Sequence, residues 1–145
     1  KAELKMNKLK SYKILKKNNN KYLSVEVEKV TQLLYRSLRP VILLGGGVKI
    51  SKSEKKLDKL LKKLKIPVVT TWSGVDLIDH KNQIYIGSVG VYGSRSANFT
   101  IQNSDLLLCL GSRLDTRITG GVPSSFARKS KIVVVDIDKN ELSKK

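Results

Sequence analysis

Short apolar runs alternate along the chain with stretches whose apolar residues recur every three or four positions. The runs at residues 41–44, 66–71, 105–110 and 131–136 are continuous rather than alternating. A continuous run bounded by turn residues predicts a strand covered on both faces, the kind found inside parallel sheets. Residues 84–86 predict one further short extended piece. Between the strands lie helical periods. Val27, Val30, Leu34 and Leu38 share one face, with Ser24 as the expected cap and Arg39-Pro40 as the stop. Leu57, Leu60, Leu61 and Leu64 form a second stripe behind the capping box Ser51/Glu54, and lysines fill its wet face. Residues 94–103 predict a third helix with Ala97 and Ile101 inward, and Phe126-Ala127 are expected to pack under the sheet. Asp138 and Glu141 open a last helix that runs out at Lys145, which reads as a fragment of a longer protein. Strands alternating with helices predict an α/β domain built on a parallel sheet with right-handed crossovers.

The stretch DLLLCLGSRLDTRITGG, residues 105–121, concentrates the candidate chemistry. After its strand come Gly111, then Arg113, Asp115 and Arg117 on alternate positions. Open α/β sheets bind ligands outside the carboxyl ends of their strands. A planar guanidinium bonds a phosphate bidentately, and Asp115 can orient an arginine or accept from a ribose hydroxyl. The plainer alternative is a set of solvated loop charges. Gly45-Gly46-Gly47 follows the first strand and Gly87-Ser88-Val89-Gly90-Val91-Tyr92-Gly93 forms a second glycine-rich turn. Glycines at a strand end let backbone amides approach a ligand, although a tight turn alone also requires them. The dinucleotide signature G-x-G-x-x-G is absent.

At 145 residues the chain suits one domain with its own core. Its net charge of +17 invites a nucleic-acid reading. The lysines instead cluster in residues 1–21, 49–65 and 128–145, with no aromatic-rich basic strand, so nucleic acid is not the expected partner. No apolar run is long enough to span a membrane, and the N-terminus lacks the apolar core of a signal peptide. The single cysteine, Cys109, lies inside an apolar strand and reads as a small buried hydrophobe. A cytoplasmic setting is expected. His80 has no nucleophile or metal partner nearby in sequence and is given no chemistry. Residues 1–22 read as a linker or poorly ordered arm, with a short helix allowed around residues 4–15, and residues 23–145 as the domain.

Taken in order, RPVILLGGG, IPVVTTWSG, VGVYGSRSAN, SDLLLCLGSRLDTRITGG and KIVVVDID resemble the central domain of thiamine-diphosphate-dependent enzymes, most strongly that of acetolactate synthase (acetohydroxyacid synthase) large subunits. The resemblance covers residues 24–145. It implies a three-layer Rossmann-like domain with about six parallel strands and helices on both faces. It also implies a parent that decarboxylates a 2-oxo acid and transfers the resulting carbanion, using thiamine diphosphate and Mg²⁺ held by flanking domains, commonly as a dimer or tetramer. The activating glutamate and the G-D-G…N metal motif of those domains are not identifiable in this chain, which implies no catalysis by it alone. Related central domains hold FAD, ADP or nothing. By resemblance, Gly45, Gly46 and Gly47 match the turn beside the cofactor phosphates, Thr71 a threonine near the flavin, and Gly90 and Gly93 a loop lining the same channel. Gly111, Arg113, Asp115 and Arg117 match the set holding the ribityl-phosphate and adenosine portions, and Asp136 and Ile137 the pair near the adenosine. Two positions depart: Tyr92 replaces the histidine of the G-x-H-G loop, and Trp72-Ser73 replaces an apolar pair. A binding module without catalysis in its parent is the alternative function.

Overall fold

The computed structural model describes residues 21–143. Five strands form one sheet: β1 (Pro40–Leu44), β2 (Val68–Thr70), β3 (Tyr85–Ser88), β4 (Leu106–Leu110) and β5 (Lys131–Val135). Their order is β3-β2-β1-β4-β5, and every neighbouring pair is parallel. The expected count of about six is thus five among the described residues. Successive strand residues point to opposite faces, and both faces are covered over β1, β2 and β4; β5, expected to be buried likewise, is an edge strand whose Ile132 and Val135 are open to solvent. Val41, Leu43, Leu107 and Cys109 enter one core with Ala97 and Ile101 of α4 (Arg95–Asn103). Ile42, Leu44 and Leu108 enter the other with Leu57 and Leu61 of α3 (Glu54–Leu64), while Val30 and Leu34 of α1 (Lys21–Arg36) pack against it. This double burial explains why the runs are continuously apolar.

Several local expectations shift. Helix α1 already includes Lys21, so Ser24 is inside it rather than capping it. It ends at Arg36, and Val27 and Leu38 are exposed instead of buried. What holds the turn after it is a tertiary contact: the Leu38 and Arg39 amides donate to the two carboxylate oxygens of Asp105, at 2.7 and 2.9 Å. The Ser51/Glu54 box does not form. Ser51 closes the short α2 (Gly47–Ile50), and Ser53 precedes α3. Leu60 stands at the edge of its stripe, partly open to solvent. Strand β3 runs past the expected residues 84–86 because a register shift against β2 inserts Ile86, carrying Gly87 into the strand. Strands β2 and β5 are shorter than expected, leaving Thr71 and Asp136 just beyond their ends. Ser94, expected as the first residue of α4, stands just outside it as its cap, Oγ accepting from the Ala97 amide at 3.2 Å. Ala127 is buried and Phe126 packs beside it. The expected helix around residues 4–15 lies outside the described residues.

Candidate functional site

The chain leaves β1 toward β2 on one side, and β4 then returns to pair with β1 on the other. The carboxyl ends of β1 and β4 therefore flank the point where strand order reverses, the place an open α/β sheet offers a crevice. A cleft of about 1240 Å³ lies there. Of the twelve residues singled out from the sequence, Gly46, Gly47, Thr71, Gly111, Arg113, Asp115, Arg117, Asp136 and Ile137 line it. Gly45, Gly90 and Gly93 are not among its lining residues.

The glycines at the strand ends serve contact between the two loops. The amides of Gly45 and Gly47 donate to the carbonyls of Leu110 and Gly111 at 2.9 and 3.0 Å, and the Gly46 amide donates to Ser73 Oγ at 3.2 Å. All three donors are thus engaged within the fold. A Cβ on Gly45 would stand 2.2 Å from the Gly111 carbonyl oxygen. Gly111 itself adopts φ +64°, the left-handed region that favours glycine. Close backbone packing, more than ligand approach, accounts for these residues.

The charged side chains do face the cleft. Asp115 caps the short α5 (Thr116–Thr119), accepting from the Arg117 amide at 2.9 Å. It also meets Arg113 Nε at 3.4 Å, a long contact between partly solvated groups. Both guanidinium groups are exposed at the cleft. Asp115 and Arg117 thus belong to a capped helical turn, while Arg113 lies in the loop before it. Asp136 sits at the end of β5, one of its oxygens accepting from the Asp138 amide at 2.9 Å. Asp138 in turn caps α6 (Lys139–Leu142), as the D-x-x-E pattern predicts. Thr71 is buried, and its hydroxyl is paired with Ser73 Oγ at 3.1 Å.

The remaining wall was not legible as a site. Ile50, Lys56, Leu57 and Leu60 reach the cleft from α2 and α3, opposite Val135 and Ile137. These leucines carried an ordinary core stripe in the sequence; nothing in a 3.6 period tells which of them stands at the open end of the sheet. Trp72 lines the cleft at the start of a 3₁₀ segment, Trp72–Leu77, and its ring meets Tyr92 at 5.4 Å, tilted by 39°. Within this segment Asp76 pairs with Lys49, and the lysine holds the Asp76 carboxyl below its usual range. Cys109 is buried behind the site; desolvation pushes its thiol up to about 12, so it is inert. No group of three metal-ligating side chains occurs among the described residues. No helix there is long and apolar enough to cross a membrane.

Residues 27–145 match the family model described as thiamine pyrophosphate enzyme, central domain. The chain is 40% identical over 119 residues to a probable acetolactate synthase large subunit of Methanococcus aeolicus, covering 82% of this chain and 20% of that protein. It is 36% identical to the acetolactate synthase large subunit of Cyanidium caldarium, over 82% of this chain and 20% of the relative. With the acetolactate synthase isozyme 2 large subunit of Escherichia coli (strain K12) the identity is 34%, over 82% and 22% of the two chains. This chain spans about a fifth of the length of these relatives. A doubly covered parallel sheet, a cleft at its crossover point and a family match across most of the sequence agree: the chain belongs to the thiamine pyrophosphate enzymes, as their central domain.

Proposed function

We propose that this chain is the nucleotide-holding central domain of an acetolactate-synthase-like enzyme. In that reading the whole protein decarboxylates a 2-oxo acid and joins the product to a second one. Thiamine diphosphate and Mg²⁺ belong to flanking domains of the same polypeptide, assembled as a homo-oligomer in the cytoplasm. Residues 1–22 act as the linker into the domain, and residues 23–145 hold the ligand. The observation that carries the reading is the convergence of Arg113, Arg117 and Asp136 on one cleft at the β1/β4 crossover.

The residues present suit a ligand of the FAD or ADP class. Arg113, Arg117 and Lys56 supply cations to a diphosphate. Asp136 has an acceptor for a ribose hydroxyl, and Leu60, Val135 and Ile137 offer an apolar seat for adenine. Since the Gly45, Gly46 and Gly47 amides are already bonded within the fold, the phosphates rely on side chains. Thiamine chemistry is assigned no residue here. The engaged amides are also what a purely structural module would show, and this is the second reading.

Titration calorimetry of the full chain with ADP and FAD separates the two. Binding of either supports the nucleotide site, and the variants Arg113→Ala and Arg117→Ala should each weaken it by about 1–2 kcal/mol, the scale of an exposed charged hydrogen bond. Unchanged affinity in both variants would overturn the assigned site. Thiamine-diphosphate-dependent CO₂ release from a 2-oxo acid, assayed on the full-length parent, tests the activity.

A further inference from the structure

We propose that Trp72, backed by Tyr92, is the end wall of the cleft and makes this site selective for adenosine diphosphate over a ligand bearing a second planar ring beyond its diphosphate. The proposal rests on the nucleotide reading above and goes further by naming which nucleotide class fits. At about 1240 Å³ the cleft is large enough for either, so volume does not select; what bounds the far end does.

One end of the cleft, with Ile137 and Leu60, is apolar and open. Arg113 and Arg117 stand at its α5 side, and at the β2 end its lining stops at Thr71, Trp72 and Ser73. The glycine loop that follows β3 does not contribute to the lining, because it is bound elsewhere. The Asn98 side-chain amide grips Gly90 from both sides, accepting from its N–H and donating to its carbonyl, each at 3.0 Å. The Val91 amide donates to the Arg117 carbonyl at 2.9 Å, and a Cβ on Gly90 would lie 2.4 Å from that same oxygen. So fixed, the loop carries Tyr92 against the Trp72 ring. The other side of the wall is tied too, since Ser73, next to Trp72, accepts the Gly46 amide. A ligand with its adenine at the apolar end and its diphosphate at the arginines meets this wall where a further ring would have to go. A stacking platform is the opposite reading of the same pair, and it predicts the opposite mutational sign.

Trp72 is the chain's single tryptophan, so its fluorescence reports this end of the cleft alone. Equilibrium binding of ADP and of FAD to the full chain, read by calorimetry in both chains and by this fluorescence in the natural one, tests the wall. The expected result is ADP bound at least ~10-fold more tightly than FAD, with the double variant Trp72→Ala/Tyr92→Ala gaining ~10-fold for FAD and leaving ADP within ~2-fold. FAD bound as tightly as ADP by the natural chain, or weakened by the variant, overturns the wall and leaves the nucleotide site standing. Binding of neither ligand overturns the nucleotide reading and the selectivity with it. Should the double variant melt below the natural chain, Trp72→Ala alone carries the same comparison by calorimetry, because that side chain lines the cleft and is 49% exposed.

Discussion

Gly111 shows how a single residue ties two loops together. Its φ of +64° suits glycine, and a Cβ there would meet the Val48 amide nitrogen at 2.7 Å. Gly120 has a similar φ of +81° but nothing within 4 Å of its would-be Cβ. Gly111→Ala should therefore cost more than Gly120→Ala: about 2–4 kcal/mol against about 1, since the second meets backbone strain alone. Chemical denaturation of the two variants checks the order. Asp105 is the other residue whose role is tertiary. Burial, the largest single effect on it, raises its pKa. The amides of Leu38, Arg39 and Asp105 and the charge of Arg39 together outweigh this and leave the carboxyl below the ordinary 3.8. A depressed carboxyl stabilises the fold above its unfolded pKa and loses that contribution as pH falls toward its folded one. Asp105→Asn should accordingly melt a few degrees lower than the natural chain at pH 6–7. The difference should begin to narrow only as pH falls through 3.8 and close below the depressed folded value, where both side chains are neutral. A melting difference that is constant from pH 7 to pH 3 would assign the effect to shape rather than charge.

Elements are held by different devices at their two ends. Helix α4 starts on Ser94 and sets the wall side of the cleft through Asn98, so its cap bears on the site. Ser94→Ala removes an acceptor from the Ala97 amide and should cost about 1 kcal/mol by thermal melting, the usual worth of a hydroxyl cap. Asp115 caps α5, a helix of only four residues whose Arg117 carbonyl receives the Val91 amide. Elements of that length hold no structure alone, so α5 depends on the loop it binds. The periodicity of α3 and α4 was plain in the sequence because each has one buried stripe. The end of α1 and the start of α3 were not, because Asp105 fixes the turn after α1 from across the fold and Ser51 and Ser53 are equally good local caps.

For the molecule as a whole, the proposed ligand is argued from the cleft and not from the net charge. Arg113 and Arg117 are exposed and screened by salt, as any surface cation is. Affinity for ADP should fall several-fold between 50 and 500 mM salt while the melting temperature changes little, because both core clusters are apolar. Equal salt loss of stability would mean that the charges hold the fold rather than the ligand. What the sequence determined by itself was the class of fold: runs apolar at every position require a sheet covered on both faces, and their alternation with helical stripes makes that sheet parallel. It also singled out twelve residues for the candidate chemistry, of which nine line the cleft while Gly45, Gly90 and Gly93 do not. Only the tertiary structure decided how they are used. It placed β4 beside β1, which brings residues some 70 positions apart in sequence into one cleft. It turned the three glycine amides inward onto carbonyls and a serine hydroxyl, and set Tyr92 against Trp72. Hydrogen-bond partners and ring contacts depend on strand order and loop packing, and no local pattern encodes those.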